Sequence, residues 1–200
     1  MARTILIGAG LLFVLLLAIL FLLPLSLPRV GDIVVTGVEL SPEVPKPDRD
    51  GPYRGMDGPF LGVTFTSAHD FQKLAHDWHY TLGYALASCA GDDLDPSKPL
   101  ASFGGVYDQH GPVFMYADKR HTSGPGTPFR YHVYLAVRAE PNLDIDTGQP
   151  QPNYDLKAHP QDVCLRIDGL QEVDGDGWGF AKFKSNVVRI AKDDVTKAFR

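Results

Sequence analysis

The chain has 200 residues, and its hydrophobic fraction of 44% and charged fraction of 22% are typical of a globular protein. Its formal net charge of −5 argues against a nucleic-acid partner, because binding a phosphate backbone requires a clustered basic surface. The same balance provides no polybasic segment for acidic lipid headgroups.

An uncharged apolar run, ILIGAGLLFVLLLAILFLLPLSL, occupies residues 5–27. As a helix rising about 1.5 Å per residue, it is long enough to cross a hydrocarbon core of roughly 30 Å. A cleaved secretory signal is the alternative, but the run is longer than the roughly 7–15 apolar residues usual there, and no small-x-small cleavage site follows it. The pattern predicts an uncleaved transmembrane signal-anchor over residues 1–28.

The two cysteines provide information on the redox environment in which the protein functions. Cys89 and Cys164 are far apart in sequence and lack metal-type spacing, so one disulfide in an oxidising compartment is the simplest interpretation. Two unrelated buried thiols are the alternative. A short N-terminus before a first apolar span usually stays in the cytoplasm. Together these arguments predict a single-pass protein of a bacterial-type inner membrane, with its soluble domain in the periplasm.

Residues 29–59 connect the predicted anchor to the remainder of the chain. The β-branched segment 31–40 predicts a strand close to the membrane surface. Residues 41–59 contain five prolines and three glycines among charged side chains, which is typical of a linker or an ordered surface loop. Residues 60–200 are expected to form one globular domain that begins with a strand over residues 60–66.

The best helix pattern of the soluble part follows this strand. Apolar side chains recur at intervals of three and four and would form one stripe on a helix: Phe71, Leu74, Ala75, Trp78, Leu82, Ala85 and Leu86. Thr66 or Ser67 is expected to cap the start, with Asp70 in the first turn, where the helix dipole favours an anion. The helix is expected to close near Gly91.

Strand patterns dominate the second half of the chain. They cover residues 102–107, 112–118, 129–138, 162–168 and 179–190, and a short closing helix is expected over residues 192–199. The predicted fold class is α+β. It consists of an N-terminal transmembrane helix and an antiparallel sheet domain, with one long helix packed on the sheet and a short C-terminal helix.

Histidines in the predicted long helix are candidate metal ligands. His69, His76 and His79 would lie on one flank, with Asp77 close by, and zinc is the metal that such side chains favour. However, residues seven apart on a helix are about 10 Å apart and cannot share an ion without another element. A solvated helix flank is the other interpretation, and no cofactor is expected under it.

Other common chemistries lack their motifs. The acidic turn at residues 172–177 resembles the start of a calcium loop, but Phe183 stands where a bidentate Glu is required, so a hairpin turn is favoured. The sequence contains no Gly-x-Ser-x-Gly elbow and no Ser-x-x-Lys motif. No catalytic residues are therefore assigned.

The segment 129–138 alternates strictly and suggests a binding face. Its polar face carries Arg130, His132, Tyr134 and Arg138, while Lys182 and Lys184 project from one side of another predicted strand. If the two strands are neighbours, they form a basic and aromatic patch of the kind that carries protein interfaces. An ordinary polar sheet face is the alternative.

The functional expectation is a membrane-tethered periplasmic binding protein. It would recognise a protein partner as an accessory subunit of an envelope complex, or as an immunity-type inhibitor of a toxic enzyme, and residues 5–27 would contact the membrane. The alternative is a small periplasmic hydrolase or metal-dependent enzyme that uses the helix histidines with zinc.

Overall fold

The computed structural model describes residues 33–42, 59–78, 80–100, 102–113, 126–139, 153–173 and 177–200. The predicted anchor at residues 5–27 lies outside these ranges. Within them, no helix has the length and apolar character needed to cross a membrane. This finding corrects the predicted localisation, because the structure gives no support to a single-pass protein of the inner membrane.

The described elements are short helices and many strands. In chain order they are β1 (Val34–Ser41), β2 (Phe60–Ser67), α1 (Phe71–Trp78), β3 (Tyr80–Ala90), β4 (Asp93–Pro99), β5 (Ser102–Asp108), β6 (Gly111–Pro112), β7 (Phe129–Ala136), β8 (Arg138–Ala139), β9 (Tyr154–Asp155), β10 (Val163–Val173), β11 (Gly177–Lys184), β12 (Val188–Ile190) and α2 (Lys192–Ala198).

The strands form two larger antiparallel sheets and one small one. The first sheet has the order β1-β2-β7-β5-β6. The second has the order β11-β10-β3-β4, with β12 also paired to β10, and β8 pairs with β9 alone. The hairpin between β3 and β4 turns at Gly91, whose φ of 65° is a left-handed conformation that glycine favours.

Both larger sheets contribute to one apolar core. Alternate residues of each strand point inward, as Leu61, Val63 and Phe65 do on β2, and all three are fully buried. The second sheet supplies Leu165 and Ile167 from β10 to the same core. The opposite face of the first sheet points away from this core.

The predicted long helix over residues 67–90 is wrong, and with it the predicted fold class. The structure has only the eight-residue helix α1 there, followed by the eleven-residue strand β3. Tyr80, Leu82, Tyr84 and Leu86 are buried, and the residues between them are more exposed. Leu82 and Leu86 fit a helical repeat as well as a two-residue alternation, and tertiary pairing with β10 selects the strand.

Helix α1 is fixed to the first sheet by the hydroxyl of Tyr131. That hydroxyl accepts a hydrogen bond of 2.8 Å from the N–H of Phe71 and donates one of 2.8 Å to the carbonyl of His69. The Tyr131 ring also stacks on Phe71, with centroids 4.4 Å apart. Asp70 caps the helix, because its Oδ1 accepts the N–H of Lys73 at 3.1 Å. The cap is therefore Asp70 itself, and not Thr66 or Ser67.

Two further links join distant parts of the chain. Cys89 on β3 and Cys164 on β10 form a disulfide between neighbouring strands, which confirms the predicted pairing. The disulfide is consistent with an oxidising compartment. Asn186 connects the second sheet to the start of β1, because its side-chain amide accepts the N–H of Ile33 and donates to the carbonyl of Ile33.

Candidate functional site on the outer face of the first sheet

The outer face of the first sheet, on the side away from the core, includes Val34 and Glu39 of β1, Thr64 and Thr66 of β2, and Arg130, His132 and Tyr134 of β7. Neighbouring strands lie about 4.8 Å apart, so residues in register on the same face contact each other. The register places Thr64 opposite His132, and it places Gly62 between Glu39 and Tyr134. The outer face is therefore a continuous polar and aromatic surface.

The alternation of β7 explains why these side chains point away from the core. Tyr131, Val133 and Leu135 are fully buried on the inner face, whereas Arg130 is exposed and His132 is partly exposed. A two-residue period forces adjacent side chains to opposite faces. The predicted faces of residues 129–138 agree with this arrangement over β7.

The side chains of Tyr134 and Glu39 are both neighbours of Gly62. A Cβ atom at position 62 would lie 3.6 Å from Cε1 of Tyr134 and 3.7 Å from Cγ of Glu39. Both side chains thus lie over the glycine. Burial, followed by the nearby Glu39 carboxylate, raises the pKa of Tyr134. Tyr134 therefore keeps its proton over a wider pH range and remains a hydrogen-bond donor.

Tyr107 provides a buried polar group next to this surface. It lies opposite His132 in the pairing of β5 with β7, and its ring meets the Tyr134 ring edge to face at 5.4 Å. The side chain is 1% exposed, and its hydroxyl has no hydrogen-bond partner within the described parts of the chain. A buried phenol normally finds a hydrogen-bond partner, so this unsatisfied hydroxyl is an unusual feature of the site.

His132 contacts Thr64 and is partly buried. Its Nδ1 lies 3.1 Å from Oγ1 of Thr64. Burial lowers the pKa of His132, the Glu39 carboxylate opposes that shift, and the Arg130 guanidinium adds to it. At neutral pH the imidazole is therefore uncharged, and Arg130 supplies the positive charge of the outer face.

The lowered pKa of His132 predicts a loss of stability on acidification. The unfolded chain binds a proton more readily than the folded chain, so stability rises with pH through the range below the unfolded-state pKa of about 6.5. We expect the melting temperature to fall between pH 7.5 and pH 5 by a larger amount in the wild type than in His132→Gln. His159→Gln, which removes an exposed histidine, should keep the wild-type dependence. Equal pH dependence of the wild type and His132→Gln would contradict this.

The sequence-predicted binding residues are only partly brought together. Arg130, His132 and Tyr134 share the outer face, but Arg138 lies on β8, where it pairs with Asp155 of β9. A basic and aromatic patch requires that the strand with Arg130 and the strand with Lys182 and Lys184 be neighbours, and they are not. Lys182 and Lys184 lie on β11 of the second sheet, whereas β7 belongs to the first.

Five residues of the site were not predicted from the sequence: Val34, Glu39, Thr64, Thr66 and Tyr107. Glu39, Thr64 and Tyr107 come from β1, β2 and β5, and they reach β7 only through strand pairing. The period-2 pattern of residues 60–66 signals that Thr64 points away from Val63 and Phe65. No local pattern reveals which strand pairs with which.

The structure describes two of the three predicted metal ligands. His69 precedes α1, while His76 lies within it, with its Nδ1 3.3 Å from Oδ1 of Asp77. His79 lies outside the described residues. Over the ranges given above, no three His, Cys, Asp or Glu side chains cluster as they would around a metal ion.

We compared the chain with protein-family models, with curated proteins and with solved structures. No protein-family model matches it. Neither a curated protein nor a solved structure matches it.

Proposed function

We propose that this chain is a binding protein that recognises a protein partner in an oxidising compartment through the outer face of its first sheet. It would act as an accessory subunit of a complex or as an inhibitor of another protein. The observation that carries the proposal is the grouping of Arg130, His132 and Tyr134 beside Glu39, with the buried Tyr107 ring supporting Tyr134 from below.

The chemistry of the outer face supports protein recognition in two ways. Tyrosine and arginine are enriched among the residues that carry most of the binding energy of interfaces. Tyr134 is also partly buried and packs against Phe60 and Tyr107, so little side-chain entropy remains to be lost when a partner binds. Arg130 is exposed and offers a guanidinium that can bind a partner carboxylate in a bidentate manner.

The proposal is tested by capture of a partner with the purified chain from the oxidising compartment of its source cells. Arg130→Glu/Tyr134→Ala should abolish capture of a partner that the wild type retains, since it reverses one charge and removes one aromatic anchor. Ala90→Lys is the matched control, because Ala90 is an exposed residue of β3 in the second sheet. It should capture the partner as the wild type does. Undiminished capture by the double variant would refute the proposal.

A further inference from the structure

A tyrosine of the second sheet contacts the backbone of the first sheet at the candidate site. Tyr84 lies on β3, is 8% exposed, and belongs to the core that both sheets share. Its hydroxyl donates a hydrogen bond of 2.5 Å to the backbone carbonyl of Tyr134 in β7. This bond therefore joins the second sheet to the strand that carries Arg130, His132 and Tyr134.

The pairing of β7 with β5 is irregular next to this carbonyl. Phe103 of β5 lies opposite Tyr134 and Tyr107 lies opposite His132, and the register shifts between these two pairs. Over this stretch β5 runs from residue 103 to 107 while β7 runs only from 134 to 132, so β5 has additional residues. Additional residues in one strand disrupt the ladder of backbone hydrogen bonds locally. The Tyr84 hydroxyl thus supplies a bond to β7 where the neighbouring strand pairs irregularly.

Tyr134 is the aromatic residue of the outer face that the proposed partner would contact. Its ring meets the Tyr107 ring edge to face at 5.4 Å, packs against Phe60 and lies next to Gly62. A tyrosine side chain has few rotatable bonds, so the position of its backbone largely determines where the ring lies. A hydrogen bond that fixes the backbone of Tyr134 therefore also fixes its ring.

We propose that Tyr84 is a positioning residue for partner recognition, which holds β7 at Tyr134 from the second sheet and thereby orients the Tyr134 ring towards the partner. Tyr84 lies on the core side of the first sheet, so it acts through Tyr134. An interface gains affinity when its side chains are ordered before the partner binds. This inference rests on the proposed function, because it assigns a further residue to the same recognition surface.

The first test measures the Tyr134 ring without a partner. In NMR spectra of the full chain, nuclear Overhauser effects between the Tyr134 and Tyr107 rings report their edge-to-face contact. Tyr84→Phe keeps the buried ring and removes the hydroxyl, and it should weaken these effects about twofold because the Tyr134 carbonyl loses a donor. Undiminished effects in the folded variant would overturn the inference. Should the variant fail to fold, the wild type decides, since its Tyr84 hydroxyl proton must show an Overhauser effect to protons of residues 134 or 135.

Tyr131→Phe is the matched control for Tyr84→Phe. It also removes the hydroxyl of a buried tyrosine, but that hydroxyl bonds the backbone of His69 and Phe71 at the start of α1. The Overhauser effects between the Tyr134 and Tyr107 rings should therefore match those of the wild type. An equal loss in both variants would show a general loosening of the fold and would contradict a positioning role for Tyr84.

The second test measures affinity for the captured partner at a temperature where all variants are folded. Calorimetry should give a dissociation constant about fivefold higher for Tyr84→Phe than for the wild type, which is the effect of losing one hydrogen bond. Tyr131→Phe should keep the wild-type constant. Because Tyr84 acts through Tyr134, Tyr84→Phe should weaken binding no further when Tyr134→Ala is already present. Additive effects of the two substitutions, or equal weakening by Tyr131→Phe, would overturn the inference.

The proposed function and the role of Tyr84 fail in different ways. Undiminished capture of the partner by Arg130→Glu/Tyr134→Ala would refute the proposed function and the positioning role with it. Capture that depends on the outer face but has the same affinity in Tyr84→Phe as in the wild type would remove the positioning role alone. We expect capture to depend on the outer face and affinity to fall in Tyr84→Phe.

Discussion

Replacing Cys89 and Cys164 together by alanine is expected to lower the free energy of unfolding by about 4 kcal/mol. The two cysteines are 75 residues apart, so the disulfide removes much chain entropy from the unfolded state. It also joins β3 to β10, the central pair of the second sheet. Urea denaturation of the oxidised wild type and of the double variant measures the difference.

A reductant provides the matched control for the disulfide. Dithiothreitol should lower the denaturation midpoint of the wild type towards that of Cys89→Ala/Cys164→Ala, and it should leave the variant unchanged. Alanine is chosen because Cys164 is fully buried, where a serine hydroxyl would add a second cost. Equal midpoints for the oxidised wild type and the variant would contradict the expected contribution.

Tyr131→Phe is expected to destabilise the chain by about 2–3 kcal/mol although it keeps the aromatic ring. The change leaves the N–H of Phe71 and the carbonyl of His69 without their partner at a buried position. Helix α1 would keep the stacking of Phe71 on residue 131 and the burial of Ala75 in the core, so the variant measures the contribution of the hydroxyl. Thermal and urea denaturation give the change in stability.

Tyr134→Phe is the matched control for this prediction. Within the described residues no hydrogen bond is made by the Tyr134 hydroxyl, and the ring lies on the opposite face of the same strand. We expect a stability change below about 0.5 kcal/mol. A loss of stability for Tyr131→Phe no larger than for Tyr134→Phe would show that the buried hydroxyl does not hold α1.

The sequence predicts strands well where one face is buried and the pattern is strict. Residues 129–138 alternate without interruption, and β7 has the predicted inner and outer residues. Residues 71–86 are different, because Leu82 and Leu86 satisfy both a helical stripe and a two-residue period. Gly83 disfavours the interior of a helix, but this local preference is small compared with the stabilisation from the pairing of β3 with β10. The type of an ambiguous segment is thus decided by a distant strand.

The membership of each sheet could not be predicted from local patterns. Lys182 and Lys184 have the same alternation as the basic residues of β7, but β11 pairs with β10 and lies in the second sheet. Pairing depends on how loops route the chain, which side-chain periodicity does not encode. The disulfide was predictable for another reason, since two cysteines allow a single intramolecular pairing.

The claim of partner recognition through the outer face is tested most directly by titrating the purified partner into the wild type, into Ala90→Lys and into Arg130→Glu/Tyr134→Ala. Isothermal titration calorimetry gives the three dissociation constants. We expect the wild type and Ala90→Lys to agree within a factor of two, and the outer-face variant to bind at least a hundredfold more weakly, which corresponds to about 2.7 kcal/mol. Equal affinity of all three proteins would contradict the claim.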